Sequence, residues 1–173
     1  MAKLGRELRA KGIDIVDLSL GEPDFDTPEH IREAAKKAID ENWSHYTPVA
    51  GFLDLREAVC QKFQRDNGLV YSPENIIVST GAKQSLANAI LSIVDTDDEV
   101  LIPTPFWVTY AALVQLAGGK VRLIQTELSQ GYKITPQQLE SAITPDTRLF
   151  IFSSPCNPSG AVYSGAELNE LAA

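Results

Sequence analysis

The stretch DEVLIPTPFW, residues 98–107, decides the fold. Its apolar run at 100–102 lies between acidic residues and a proline-rich turn, which is typical of a short buried strand. Similar runs occur at 76–79, 121–124 and 149–152. Helical patterns separate the four runs, and this alternation predicts a parallel sheet whose strands are joined by helical crossovers. The fold class is therefore α/β.

Helices are predicted around and before these strands. Those after the first strand are expected at 82–93, 106–116 and 136–143. An earlier helix should begin after Thr27, whose hydroxyl can cap it, with Pro28 in the first turn, and should end near Asn42. A second amphipathic helix should end at Asn67 and Gly68, because glycine favours a left-handed C-terminal cap.

Other local signals complete the outline. Residues 13–20 are expected to be extended, and 43–52 to form a loop. Two capping boxes predict helix starts: Thr135 with Gln138, and Ser164 with Glu167.

Composition restricts the class of protein. The 173 residues are 44% hydrophobic and carry a net charge of −8, which favours a globular protein and argues against nucleic acid as a partner. No apolar run approaches the ~20 residues of a membrane span, and no secretory leader is recognisable, so the expected location is the cytoplasm. Cys60 and Cys156 are expected to be reduced. His30 and His45 are too isolated to indicate a metal site.

Three loops follow predicted strands, at the edge of an α/β sheet where ligands bind. They are STGAKQ (79–84), PTPFW (103–107) and SSPCNPSG (153–160). The first leaves helix N-terminal N–H groups open to an anion such as phosphate. The second presents Trp107, a flat ring that could stack on another ring. In the third, two prolines flank Asn157, whose amide is a neutral donor.

Taken one at a time, these loops have simpler explanations. Local chemistry alone favours a plain strand-to-helix turn with a solvated Lys83, a core role for Trp107 and an Asx-Pro turn at Asn157. Cys156 could be a reactive thiol, although a small buried side chain is the simpler interpretation. The order and placement of the three loops are more specific than any one of them.

Long segments of the chain resemble the class I pyridoxal-phosphate aminotransferases of fold type I, most closely the bacterial aspartate aminotransferases. The matching segments are LSLGEPDFDTPEHIREAA, HYTPVAGFLDLREAV, IIVSTGAKQSL, IPTPFWVTY and AITPDTRLFIFSSPCNPSGAVY. The resemblance implies a three-layer large domain with a mainly parallel sheet and helices on both faces. It places an N-terminal segment at 1–40 and the beginning of the large domain at 41–173.

The resemblance also assigns roles to single residues. Gly81, Ala82 and Lys83 match the loop that holds the phosphate of pyridoxal 5'-phosphate, and Trp107 matches the aromatic residue that stacks on its ring. Asn157 matches the asparagine that donates to the ring's phenolic oxygen, which tunes the cofactor as an electron sink.

Substrate and partner roles follow from the same resemblance. Gly21 matches a backbone site near the substrate carboxylate. Lys83 hints at a dicarboxylic substrate, and Trp107 and Asn157 also border the substrate. Tyr46 matches a tyrosine that reaches the phosphate of a neighbouring subunit, which implies a homodimer with shared active sites. The implied substrates are an acidic or aromatic amino acid and a 2-oxo acid.

The residues that would complete such a site are expected outside this sequence. None of the eight lysines stands in the family's Ser-Lys context, and transamination needs a lysine that forms a Schiff base with the cofactor. We therefore expect an N-terminal fragment, less than half of a subunit, with an incomplete sheet and no activity alone. A related carbon–sulfur lyase, a regulator's cofactor domain, and a non-catalytic fragment that binds cofactor or a partner are the alternatives.

Overall fold

The computed structural model describes residues 2–16 and 21–173, so part of the extended run predicted at 13–20 lies outside the described residues. The chain divides into two compact units, Met1–Pro48 and Val49–Ala173. The predicted domain limits, 1–40 and 41–173, stay a prediction. No helix among the described residues is long and apolar enough to cross a membrane.

Among its described residues, the first unit contains two helices, α1 (Ala2–Ala10) and α2 (Glu29–Asp40). Helix α1 was not predicted. The predicted cap at Thr27 is wrong, because Pro28 occupies the N-cap position in an extended conformation and no side chain caps the helix. Glu29 lies in the first turn, where its charge complements the positive end of the helix. The predicted end near Asn42 is confirmed to within two residues.

The second unit begins with helix α3 (Leu53–Asn67), which ends as predicted in a left-handed cap at Gly68, φ 68°. The rest of the unit alternates helices and strands. Its further elements are a 3₁₀ turn (Pro73–Asn75), α4 (Ala82–Ile93), β1 (Glu99–Pro103), α5 (Thr109–Leu116), β2 (Lys120–Ile124), a 3₁₀ turn (Leu128–Gln130), α6 (Pro136–Ala142), β3 (Thr147–Phe150) and α7 (Gly165–Ala172). Both predicted capping boxes form, at the starts of α6 and α7.

The three strands form a parallel sheet in the order β2-β1-β3. Successive side chains of a strand point to opposite faces, and here both faces are covered. Val100 and Ile102 pack in one cluster with residues of α4 and α5, and Leu101 packs in another with residues of α6 and Tyr163. This arrangement confirms the predicted α/β fold with helices on both faces.

The strand predicted at 76–79 does not form. Ile76 is extended and buried, but Ile77 is largely exposed, and the segment has no ladder partner among the described residues. In the described part of the chain, its one backbone hydrogen bond to a distant segment runs from the Val78 N–H to the Ala50 carbonyl, at 3.0 Å. An apolar run becomes a strand only when a neighbouring strand pairs its backbone groups.

Two element boundaries also differ from the prediction. Helix α5 begins at Thr109 rather than 106, because Phe106 and Trp107 lie in the preceding turn and pack against the buried cluster of β1. Strand β3 covers Thr147–Phe150 rather than 149–152. The Ile151 N–H still donates to the Leu101 carbonyl, at 3.0 Å, so pairing with β1 extends one residue beyond the strand.

The start of α7 carries a pH-dependent contact. Glu167 accepts from the Lys133 ammonium and from the Ser164 N–H, and these bonds, with the Ser164 hydroxyl beside them, lower its pKa from 4.5 to about 2. A carboxylate with a depressed folded-state pKa stabilises the fold above its unfolded pKa, and loses that contribution as pH falls through the folded value.

We therefore expect Glu167→Gln to lower the urea midpoint at pH 7, with the difference from wild type shrinking between about pH 4.5 and pH 2. Urea unfolding at a series of pH values measures this. Glu170→Gln, on the same helix and without an ion pair among the described residues, is the control. A difference that stays constant with pH would contradict the assignment.

Candidate functional site

Two of the three loops leave the carboxyl ends of neighbouring parallel strands. PTPFW includes the last residue of β1 and continues past it, and SSPCNPSG begins three residues after the end of β3. Since β1 and β3 are paired, both loops emerge at the same edge of the sheet. The third loop, STGAKQ, leads into α4, which packs on the β1 face through Ile90.

The STGAKQ loop holds open donors at the start of α4. Gly81 occupies the N-cap position with φ 81° and ψ 167°, a conformation that is essentially restricted to glycine. The Gln84 side chain accepts from the Thr80 N–H. The N–H groups of Ala82 and Lys83 donate to no atom of the residues that the structure describes. These two groups and the helix dipole can hold an anion.

Lys83 and Trp107 meet although they belong to different loops. The Lys83 ammonium lies 5.4 Å from the centre of the Trp107 ring, a cation–π contact. The ring in turn meets the edge of Tyr110, with centroids 5.7 Å apart and planes at 85°. Tyr110 is buried in the core, so the half-buried indole is a firmly held aromatic surface beside a positive charge.

The SSPCNPSG loop is held by its own hydrogen bonds. The Cys156 N–H donates to the Ala161 carbonyl at 2.8 Å, and the Gly160 N–H donates to the Cys156 carbonyl at 2.7 Å. The Asn157 N–H donates weakly to the Ser153 hydroxyl, 3.4 Å. The peptide bonds before Pro155 and Pro158 are cis. Asn157 is exposed, so its amide is available to a ligand.

Tyr163 fastens the end of this loop to the core. Its N–H donates to the Ser154 hydroxyl at 2.9 Å, and its phenol accepts from the Ile134 N–H at 2.8 Å. Burial raises the pKa of this phenol. Tyr163 also meets the Phe152 ring edge-on at 5.4 Å. Sequence reasoning did not single out Tyr163. Its position three residues after the SSPCNPSG loop is the only signal that could have identified it.

The structure brings some of the predicted site residues together, and two others belong to the other compact unit. Lys83 and Trp107 are in contact, and the loop that carries Asn157 is joined to the Trp107 loop by a bond from the Cys156 thiol to the Pro105 carbonyl, 3.3 Å. Gly21 and Tyr46 belong to the first unit, where Tyr46 is fully exposed.

Metal-ligand clusters are not found in the described part of the chain. Three or more histidine, cysteine, aspartate or glutamate side chains nowhere converge there in a way that could hold a metal ion. The candidate site therefore consists of open N–H groups, one ammonium, one indole and one amide, a set suited to a ligand with an anionic group and a flat ring.

The sequence profile described as "Aminotransferase class I and II" matches residues 13–173. The chain belongs to the class I and II aminotransferases. Among its relatives, an aspartate/prephenate aminotransferase of Cereibacter sphaeroides is 51% identical over 166 residues, which are 96% of this chain and 42% of that protein.

Solved structures of aminotransferases agree with the fold. The crystal structure of the aspartate aminotransferase from Rhizobium meliloti superimposes with a TM-score of 0.93 at 44% identity, covering 99% of this chain and 43% of that one. The aspartate aminotransferase of Thermus thermophilus, solved with maleate, superimposes with a TM-score of 0.93 at 45% identity. The match covers 99% of this chain and 45% of that one. The chain thus spans less than half the length of the relatives it matches.

The conformation of Gly81 can be tested directly. A Cβ at Gly81 would meet no atom within 4 Å, so Gly81→Ala introduces backbone strain without a clash. We expect a loss of about 1–3 kcal/mol of stability, or a rearranged loop with weaker binding of inorganic phosphate. Urea unfolding and phosphate titration by calorimetry measure the two effects.

Gly165→Ala is the matched control. Gly165 is the first residue of α7, has no positive φ, and also leaves open space for a Cβ, so alanine should be neutral or slightly stabilising there. If Gly81→Ala behaved like this control in both measurements, the strained conformation would not be needed for the loop.

Proposed function

We propose that this chain supplies the cofactor-holding part of a pyridoxal 5'-phosphate-dependent aminotransferase, which moves an amino group between an acidic amino acid and a 2-oxo acid. The observation that carries the proposal is the contact between the Lys83 ammonium and the Trp107 ring beside the open N–H groups of α4. A ligand with a phosphate and an aromatic ring would meet both at once. Membership of the aminotransferase family supports the same ligand.

The residues present fit this cofactor. Gly81, Ala82 and Lys83 would hold its phosphate: Ala82 and Lys83 have open N–H groups, Lys83 adds a positive charge, and Gly81 supplies the backbone conformation that starts the helix there. Trp107 would stack on its ring, and the exposed amide of Asn157 would donate to the ring oxygen. When bound, the cofactor supplies the electron sink for the reaction at the substrate's α-carbon.

An acidic substrate is favoured by Lys83. In the described residues this ammonium pairs with no carboxylate, so it is available to the distal carboxylate of a dicarboxylic amino acid. Relatives named aspartate or aspartate/prephenate aminotransferases, and the relative solved with maleate, agree with dicarboxylic substrates. The backbone at Gly21 would lie near the substrate's α-carboxylate. Trp107 and Asn157 would border the substrate as well as the cofactor.

The proposed assembly is a cytoplasmic homodimer with shared active sites. Tyr46 is fully exposed and would reach the cofactor phosphate of the neighbouring subunit. The two cysteines, Cys60 and Cys156, are both free thiols, which suits a reducing compartment.

The lysine that performs proton transfer is proposed to lie beyond these 173 residues. A group that shuttles a proton must reach the α-carbon and the cofactor in turn. Among the candidate site residues Lys83 is the one lysine, and its proposed place is at the phosphate and the substrate's distal carboxylate. The 173-residue chain alone should therefore bind the cofactor without catalysing amino transfer.

The experiment that tests the function uses the full-length protein that contains this chain. We expect a visible absorbance band on adding pyridoxal 5'-phosphate, transfer from aspartate to 2-oxoglutarate, and a borohydride-fixed adduct on a lysine outside residues 1–173. Release of ammonia from sulfur-containing amino acids without amino transfer would indicate a lyase instead. Absence of any cofactor band would refute the proposal.

Substitution of Lys83 tests the substrate class. We expect Lys83→Met in the full-length protein to raise KM for aspartate about tenfold or more, because one charge-assisted hydrogen bond to the distal carboxylate is lost. The KM for an aromatic amino acid should change much less. Steady-state kinetics at saturating cofactor measure both.

Lys62→Met is the matched control for Lys83→Met. Lys62 also lies over an aromatic ring, that of Phe63 at 5.5 Å, but on helix α3 and outside the three loops. Its loss should leave both KM values unchanged. An equal rise for acidic and aromatic substrates in Lys83→Met would restrict Lys83 to the cofactor phosphate.

A further inference from the structure

We propose that Cys156 is a positioning residue, whose thiol ties the Trp107 loop to the Asn157 loop and so sets the spacing between the ring surface and the amide donor. The part of this inference that concerns cofactor binding rests on the proposed function. The coupling of the two loops does not, because it is a property of the chain itself.

Cys156 is the junction of three hydrogen bonds. Its N–H and carbonyl close the SSPCNPSG loop on Ala161 and Gly160, at 2.8 and 2.7 Å. Its thiol leaves the loop and donates to the Pro105 carbonyl at 3.3 Å, 51 residues away in sequence. Cys156 is half-buried, and its N–H, its carbonyl and its thiol are all hydrogen-bonded. Such a residue is fixed in place and is not a reactive surface thiol.

The thiol bond is the one hydrogen bond between the two loops in the described part of the chain. On the other side, Thr104 anchors the Trp107 loop to β2: its N–H donates to the Ile124 carbonyl at 2.9 Å, and its hydroxyl accepts from the Thr126 N–H at 3.2 Å. The Trp107 loop is thus held towards β2 by Thr104 and towards β3 by Cys156.

The packing around the hydrogen bond between Cys156 and Pro105 indicates why this bond is needed to couple the loops. A small cavity lies between the loops, and its lining includes Pro105, Phe106, Phe152, Cys156 and Tyr163. Atoms that face a gap lose packing contacts on that side, so packing alone couples the two loops less than close contact would. A directed bond across the gap restrains a shift of one loop against the other even though a thiol is a weak donor.

Hydrogen exchange of the full-length apoprotein, read by mass spectrometry, tests the coupling without any cofactor. The peptide spanning 103–110 contains two protected amides, Thr104 bonded to Ile124 and Tyr110 bonded to Trp107. In Cys156→Ala we expect this peptide to exchange about threefold faster, because a hydrogen bond at the lower end of the usual range of net strength is lost. Cys156→Ser keeps a donor and should stay close to wild type.

Three controls make the exchange result decisive. Cys60→Ala removes the other free thiol, on α3, and should change neither loop. The peptide of α3 reports general loosening, and Cys156→Val replaces the alanine variant if that one does not fold. Exchange at 103–110 that is unchanged in the donor-free variant, or equally faster in the serine variant, overturns the proposal.

Cofactor titration of the same variants tests the consequence for binding. We expect the dissociation constant of pyridoxal 5'-phosphate to rise about threefold to tenfold in Cys156→Ala and to recover in Cys156→Ser. If wild type binds no cofactor, the proposed function fails, while the exchange result still decides the coupling. If wild type binds and the alanine variant binds equally well, the positioning role fails and the function stands.

Discussion

The burial of β1 on both faces is the constraint on which the second unit depends. Val100, Leu101 and Ile102 are completely inaccessible to solvent. A strand in this position must pair its backbone with neighbours on both sides, which β2 and β3 do, and must have a helical layer on each face. Helices α4 and α5 contribute to the cluster on one face, and α6 to the cluster on the other. Removing either layer would expose large aliphatic side chains of a central strand.

The candidate site is a consequence of the same packing. Because β1 and β3 are parallel neighbours, the loops with Trp107 and Asn157 begin at one edge of the sheet. Helix α4 contributes Ile90 to the cluster around Val100 and Ile102, which holds its axis against the β1 face. Its first turn then lies where Lys83 reaches Trp107. Core residues that touch no ligand thus determine the distance between an ammonium and a ring that belong to different loops.

Most of the local signals in the sequence were interpreted correctly. The capping boxes of α6 and α7 and the left-handed cap at Gly68 each depend on residues within a few positions of one another, and all three form. Sequence reasoning was wrong at Thr27, where Pro28 takes the capping position, and at 76–79, where strand formation needs a distant partner. The three loops were predicted to bind a ligand from their composition and order, and that role stays a prediction. The bond between Cys156 and Pro105 was not, since no pattern in a single sequence reports a contact 51 residues away.

The unpaired segment at 76–79 shows that two effects are distinct: stabilisation of the fold by a strand ladder, and orientation of the N–H groups at the start of α4. It precedes the STGAKQ loop, yet it is tied to the rest of the unit through Val78 and Ala50 rather than through a strand ladder. Gly81 nevertheless adopts its glycine-only conformation, and the N–H groups of Ala82 and Lys83 after it stay open among the described residues. Those groups are aimed by α4, a helix about 18 Å long whose far end, at Ile90 and Val94, is buried in the core. The orientation of these open N–H groups therefore follows from the packing of α4 on β1, and a ladder at 76–79 would stabilise the fold without being needed to orient them.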